Sequence, residues 1–315
     1  MPLPEPFTRR FVVLSGKGGV GKSTLAAAIA LRNAEEGRRT CIVQLNTRDA
    51  IGPLFPGVGE VGYEPTRLDP ALPLWACNLR PGPALREYGV MKLRFRALHR
   101  VVFENDVMRR LLAMIPGMTE TFLLGKAWFM EAMDQDESGR PSWDTLVLDA
   151  PSTGHGITLL QLPEVLLSVV PVGPMAEDAR RMSALLADPS RTALHVATLP
   201  AELPVNEALD LERLARERVG IPSGTMLCNQ LLPDLLADVA DDALTTLAAT
   251  PDVALAAAGR NARAFADWRA QQQLQLGRLA ASTRMPLLRL PHLLGDVERA
   301  GLVRLGDAIV AGGTA

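Results

Sequence analysis

Short apolar runs alternate along the chain with longer segments that have helical spacing. The short runs are rich in Val, Leu and Ile, the composition of buried strands. This alternation predicts an α/β fold with a mostly parallel sheet flanked by helices. The runs that predict strands are RFVVLS, TCIVQL, TLVLD, VLLSVVPV, ALHVATLP, GTMLCNQ and MPLLRLP.

Residues 84–137 interrupt this alternation with Met- and Leu-rich helical patterns. They predict a helical subdomain inserted into a nucleotide-binding domain formed by residues 1–83 and 138–315. Flexible thioethers can line an adaptable apolar groove, or they can pack the insert against the sheet or a second protomer. One helix in the insert has an apolar stripe (Met91, Phe95, Leu98, Val102) and a basic stripe (Lys92, Arg96, Arg100), and the insert's methionines are Met91, Met108, Met114, Met118, Met130 and Met133.

Composition narrows the function classes. The 315 residues are 48% hydrophobic and carry a formal net charge of −2, so there is no strong nucleic-acid signal. Cys41, Cys77 and Cys228 are too far apart for a disulfide framework or a local zinc site. No signal peptide or transmembrane segment is expected, because the most apolar stretch contains Gln161, Pro163 and Glu164. We expect a cytoplasmic protein, for which peripheral membrane contact stays open.

The motif GKGGVGKS, residues 16–23, follows a predicted strand and precedes a predicted helix. In that context it fits a phosphate-binding loop, whose backbone N–H groups and helix N-terminus face phosphate oxygens. Lys22 is expected to contact the β- and γ-phosphates and Ser23 to ligate Mg²⁺, so the predicted cofactors are ATP and Mg²⁺. The alternative is a glycine-rich turn without a ligand. The predicted loop residues are Gly16, Lys17, Gly18, Gly19, Val20, Gly21, Lys22, Ser23 and Thr24.

Asp149 ends a predicted buried strand. A carboxylate there is expected to contact Mg²⁺, directly or through water, together with Ser23. The alternative is that Asp149 caps the next helix.

Four stretches carry a resemblance to a known family. The early Lys17 resembles deviant Walker A loops, and DAPSTGH, from Asp149 to His155, is similar to a switch of the arsenite-pump (ArsA) and tail-anchored-protein-targeting (Get) ATPases. CNQLLP, from Cys228, and the segment from Asp188 resemble further stretches of that family. The resemblance spans residues 11 to about 290.

The resemblance implies a nucleotide sandwich dimer, a homodimer or a heterodimer with a paralogous ATPase. In it, Lys17 would reach the partner's phosphates, Asn229 would recognise adenine, and His155 would belong to a switch. The targeting members hold hydrophobic client helices with the inserted subdomain, so residues 84–137 are expected to engage a protein or hydrophobic-helix client. The paired cysteines that clasp zinc in some relatives are missing, so no zinc is expected. A metalloid pump is disfavoured because the insert has no cysteine.

The stretch NTRDAIG departs from the family pattern. The family has a D-P-A-H switch here, and ungapped comparison puts Asn46 at the Asp that positions or deprotonates the attacking water. An amide holds a water but does not accept its proton, and general-base help is worth roughly 10²–10⁴-fold. Slow hydrolysis is therefore expected, with Lys17, Lys22, Asn46 and Asp149 as the catalytic candidates. A shifted alignment would make Asp49 the carboxylate instead.

Two other functions stay open. A regulatory pseudo-ATPase, the weak half of a heterodimer, is favoured by Asn46. A positioning ATPase like the chromosome-partitioning and division-site proteins (ParA/MinD-like), acting on nucleoid or membrane, is favoured by the basic stripe at Lys92, Arg96 and Arg100.

Overall fold

The structure is a computed structural model that describes residues 2–92, 118–295 and 297–313. Its described part contains one eight-stranded sheet in the order β3-β4-β2-β5-β1-β6-β7-β8. All neighbouring strands are parallel except β3 and β4, which form an antiparallel edge. The strands are β1 Phe11–Gly16, β2 Thr40–Leu45, β3 Thr66–Asp69, β4 Leu74–Leu79, β5 Thr145–Ser152, β6 Thr192–Thr198, β7 Ser223–Leu231 and β8 Leu287–Pro291.

Helices cover both faces of the sheet, which explains why β1 and β2 are apolar and buried along their whole length. On one face α1 and α9 share a core that includes Leu25, Ile29 and Leu305. On the other face α3 to α6 and the end of α8 share a second core. The α-helices are α1 Lys22–Glu35, α2 Pro81–Lys92, α3 Met118–Ala132, α4 Thr153–Val169, α5 Pro174–Ala187, α6 Glu202–Leu214, α7 Asp241–Ala248, α8 Val253–Ser282 and α9 Arg299–Val310.

This architecture confirms the predicted α/β fold of a P-loop nucleotide-binding protein. Six of the seven predicted strands are present, and the loops that leave β1, β2, β5 and β7 meet at the carboxyl edge of the sheet. In open parallel sheets ligands bind at this edge. The predicted site residues therefore come from loops that the topology places side by side.

One predicted strand is wrong. VLLSVVPV, from Val165, continues helix α4 as far as Val169. A short apolar run does not distinguish a buried strand from a helix, and here the helix divides it into two faces. Leu166 is buried, whereas Val165 and Val169 are half or more exposed. Strands β3 and β4 were not predicted, since β3 has only four residues, two of them charged.

The predicted insert, residues 84–137, is described at its two ends. Helix α2 precedes it and continues into it, and α3 lies near its end, with the rings of Tyr88 and Phe122 5.5 Å apart. Leu124 and Ala127 of α3 are buried in the same core as β5. The rest of the basic and apolar stripes, including Arg96, Arg100, Phe95, Leu98 and Val102, lies outside the described residues, as do Met108 and Met114.

Candidate phosphate and base site

The phosphate loop connects β1 to α1 along a path that needs glycine at two positions. Gly16 has φ of 152°, and a Cβ there would lie 2.1 Å from the carbonyl oxygen of Ala197. Gly21 has φ of 89°, in the left-handed region, and a Cβ there would lie 2.6 Å from the Asn229 side-chain nitrogen. The loop thus passes between β6 and the end of β7, and α1 begins at Lys22 with its first N–H groups at the loop.

Ser23 and Asp149 meet across the carboxyl edge of the sheet. The Ser23 hydroxyl donates to Oδ2 of Asp149 at 2.6 Å, and Asp149 is 8% exposed. Burial raises the pKa of Asp149, which the Ser23 hydrogen bond and Lys22 only partly offset. Hydroxyl and carboxylate oxygens are the ligands that Mg²⁺ prefers. Their meeting beside the loop fits a magnesium site.

Lys22 folds back over the loop. Its ammonium donates to the carbonyl oxygen of Lys17 at 3.0 Å. Burial lowers the pKa of Lys22, and the charge of Asp149 acts against that shift. An ammonium that is partly removed from water attracts an anion strongly. The N–H groups in the first turn of the helix add positive charge at the same place.

Lys17 is ion-paired within its own chain. Its ammonium lies 2.6 Å from Oε1 of Glu207 in α6, and each side chain is about one third exposed, at 29% and 33%. Lys17 is therefore not a freely solvated loop lysine.

Asn46 borders the same cavity as the phosphate-loop residues. The cavity has a volume of about 310 Å³, and its lining includes Lys22, Ser23, Asn46 and Asp149. Asn46 is exposed with φ of 47°, a conformation that asparagine adopts more readily than most residues. Arg80, at the end of β4, donates to Oδ1 of Asn46 at 3.5 Å. This contact is at the long limit for a hydrogen bond.

Asp49 has a structural role. Its Oδ1 accepts hydrogen bonds from the Gln44 amide and from the backbone N–H groups of Ile51 and Gly52, and its Oδ2 accepts from Val61. Burial alone would raise the pKa of Asp49, but these four hydrogen bonds lower it. A carboxylate with this many donors is a weak base, which argues against the shifted alignment.

Asn229 joins the phosphate loop to a second cavity. Its Nδ2 donates to the carbonyl oxygen of Val20 at 3.0 Å, so part of its amide holds the loop. The second cavity, of about 260 Å³, lies on the other side of the start of α1. It includes residues that sequence reasoning missed, namely Gln230, Pro291, His292, Leu293, Gly295, Val297 and Leu305.

The DAPSTGH segment forms the end of β5 and the start of α4. Ser152 ends the strand and also borders the phosphate-side cavity. Gly156 packs against β1, since a Cβ there would lie 2.6 Å from Oγ of Ser15. The side chain of His155, the switch candidate, lies outside the described residues.

Comparisons with known proteins show that the chain is similar to ATPases. Over 236 residues the chain is 29% identical to the ATPase BagA of Mycobacterium tuberculosis, covering 71% of this chain and 66% of the relative. It is 28% identical to arsenical pump-driving ATPases of Acidiphilium multivorum, over 251 residues, and of Escherichia coli, over 239 residues. These matches cover 74% and 71% of this chain but only 41% and 40% of those relatives.

A family-level match covers the residues that build the phosphate side of the site. Residues 9–172, just over half of the 315, match the anion-transporting ATPase family. The matched segment contains the phosphate loop, Asn46 and Asp149. No described helix is long and apolar enough to cross a membrane. The chain belongs to the anion-transporting ATPase family.

Proposed function

We propose that this chain is a magnesium-dependent ATP-binding switch with slow hydrolysis. The observation that carries the proposal is the contact between Ser23 and Asp149, beside a glycine loop that ends at Lys22. When bound, Mg²⁺ would neutralise charge on the β- and γ-phosphate oxygens. Ser23 and Asp149 would hold it, and the triphosphate would draw the Lys22 ammonium away from the Lys17 carbonyl.

The base would occupy the second cavity. Asn229 lies between the phosphate loop and that cavity, so it would orient the loop and the adenine together. Its Oδ1 would accept from the exocyclic amine of adenine, since part of the Nδ2 group is engaged with Val20.

Slow turnover follows from the groups around Asn46. The Asn46 side chain borders the phosphate-side cavity, and its amide would hold a water by hydrogen bonds without taking its proton. Positioning and charge stabilisation still contribute to phosphoryl transfer. A regulatory pseudo-ATPase, the weak half of a heterodimer, is the second candidate, favoured by the amide at Asn46.

The ATP-bound state would pair two protomers through the nucleotide, with Lys17 acting on the partner's phosphate. The partner would be a second copy of this chain or a paralogous ATPase. Residues 84–137 would engage a protein or hydrophobic helix. In support, a mainly apolar cleft opens between α2, α3, α4 and α5, lined by Tyr88, Phe122, Leu166 and Met182 among others.

Equilibrium binding and phosphate release test the proposal. Wild type should bind ATP with Mg²⁺ and release phosphate slowly, whereas Lys22→Ala should lose most of the binding. Lys126→Ala, on α3 and paired with Glu87, is a control lysine outside both nucleotide-site cavities and should bind as wild type does. Equal binding by Lys22→Ala and wild type would contradict the proposal.

A further inference from the structure

The ion pair between Lys17 and Glu207 joins two well-anchored parts of the fold. The loop begins at Gly16, which packs against the backbone of Ala197 at the end of β6. Helix α6, which follows β6, is fixed by the buried side chains of Val205, Ala208 and Leu211. The 2.6 Å contact therefore lies between a close-packed loop start and a close-packed helix.

The ion pair with Glu207 limits the positive charge that Lys17 presents to a partner protomer. A carboxylate at 2.6 Å neutralises most of the ammonium charge toward anything that approaches from outside the chain. That pairing weakens the attraction of Lys17 for the phosphate of an incoming protomer. For Lys17 to serve a nucleotide on a partner, the contact with Glu207 has to separate.

We propose that Glu207 is a positioning residue that holds Lys17 within its own chain until nucleotide-bound protomers pair. This inference rests on the proposed function, because it takes Lys17 to act across the sandwich dimer. Glu207 then sets the concentration at which ATP-bound protomers associate. It contributes nothing to the chemical step once the dimer has formed.

Glu207→Gln is the central test, because it removes the charge and keeps the shape. Pairing would be followed by sedimentation velocity with a non-hydrolysable ATP analogue, and by phosphate release as a function of protein concentration. An ion pair that is about one third exposed opposes release by about fivefold per protomer, so the midpoint for pairing should fall about 25-fold when two protomers release together. The turnover per dimer at saturating protein concentration should not change.

Three further proteins complete the design. Glu202→Gln removes an exposed carboxylate from the first turn of α6. It should match wild type in the midpoint for pairing and in the turnover per dimer at saturating protein concentration. Glu207→Asp keeps the charge but shortens the side chain, so its midpoint should fall between those of wild type and Glu207→Gln. In a Lys17→Ala background, Glu207→Gln should have no effect on the midpoint.

The outcomes separate the two proposals. An unchanged or higher midpoint for pairing in Glu207→Gln overturns the holding role. A changed turnover per dimer at saturating protein concentration also overturns it. An equal effect of Glu207→Gln with and without Lys17 also overturns it, because the residue would then act on α6 alone. If Lys17→Ala pairs and turns over as wild type does, the cross-protomer role of Lys17 fails and this inference fails with it. Loss of ATP binding in the Lys22→Ala comparison is the separate readout for the nucleotide site.

Discussion

The Ser23 hydroxyl and the Asp149 carboxylate, 126 residues apart in the chain, meet at 2.6 Å. Ser23 lies in the first turn of α1, which follows β1, and Asp149 lies within β5, so the parallel pairing of β1 with β5 brings them to one edge. The contact satisfies one carboxylate oxygen. Asp149 is only 8% exposed, however, and this burial raises the pKa of its carboxyl group. The surroundings of Asp149 in the unliganded protein thus disfavour its charged form.

Asp149→Asn should therefore have opposite effects on stability and on magnesium binding. The amide oxygen still accepts from Ser23, while the buried charge is gone, so we expect the melting temperature of the unliganded protein to rise by about 1–3 °C. Magnesium-dependent ATP binding should fall by at least about tenfold, since the metal loses a charged ligand. Calorimetry and titration with and without Mg²⁺ measure both effects. A lower melting temperature would show that the carboxylate is stabilising.

Gly21→Ala should damage the phosphate loop in two ways. A left-handed φ of 89° costs an alanine roughly 1–2 kcal/mol, and its Cβ would lie 2.6 Å from the Asn229 amide. Gly37→Ala is the matched control, because Gly37 has φ of 80° with no atom within 4 Å of the added Cβ. We expect both variants to lose stability, but only Gly21→Ala to lose ATP affinity, by about tenfold or more.

A double variant isolates the clash with Asn229. Gly21→Ala/Asn229→Ala removes the amide that the new methyl group would meet, so Asn229→Ala should lower the melting temperature less in the Gly21→Ala background than in wild type, where it only removes the hydrogen bond to Val20. The measurement is thermal unfolding of wild type, Gly21→Ala, Asn229→Ala and the double variant. Equal losses from Asn229→Ala in the two backgrounds would place the damage entirely in the backbone.

The sequence predicts the phosphate loop well because its geometry is local. Glycines at Gly16 and Gly21, between an apolar strand and a helix, specify a curled backbone whichever partners surround it. Asp149 could be placed for a similar reason, since the strand before it is apolar and parallel strands end at one edge. The fold class follows from the same alternation of strands and helices.

Contacts between distant elements could not be predicted in this way. Glu207 lies 190 residues beyond Lys17, and a helix pattern shows which face is polar without showing which loop it meets. Arg80 was missed because β4, the strand that carries it toward Asn46, was not predicted. The misassigned run at Val165 failed for another reason, because local apolar content is the same in a strand and in a helix.

Asn46→Asp should speed hydrolysis. Aspartate tolerates the left-handed conformation of this position, with φ of 47°, and it supplies a proton acceptor that the amide lacks. We expect turnover to rise by about 10- to 100-fold, within the usual range of general-base catalysis, with little change in ATP affinity. Asn261→Asp, the same substitution at an exposed position of α8 outside both cavities, is the control and should leave turnover unchanged. Equal turnover by Asn46→Asp and wild type would contradict the assignment.

Arg80 should tune the introduced carboxylate. Its guanidinium contacts Oδ1 of Asn46 and would form an ion pair with an aspartate, which lowers the pKa of the new base. In Asn46→Asp/Arg80→Ala the acidic limb of the turnover profile should therefore move to higher pH. Turnover of the single and double variants between pH 5 and 8 measures that shift. Superimposed limbs would show that Arg80 does not reach the new carboxylate.

His195 should make the stability of the protein sensitive to acid. It is fully buried in β6, stacks on Phe7 with ring centroids 4.1 Å apart, and accepts a hydrogen bond at Nδ1 from the Thr225 amide. Burial lowers the pKa of His195 from 6.5 to about 3. Because the unfolded chain takes up a proton near pH 6.5 and the folded chain does not, stability is full above that pH and is lost as the pH falls toward 3. Between pH 6.5 and 4.5 the loss is about 2–3 kcal/mol.

His195→Asn isolates this contribution from the carboxylates that titrate in the same range. Its Oδ1 can accept from the Thr225 amide, but the side chain does not titrate. We expect the variant to be less stable than wild type at pH 7.5, because the stacking on Phe7 is lost, by about 1 kcal/mol. Its free energy of unfolding should nevertheless fall less steeply below pH 6.5, so the difference between the two proteins should shrink or reverse by pH 4.5. Urea unfolding at both pH values measures that difference, and parallel pH slopes would mean that His195 is protonated in the folded protein.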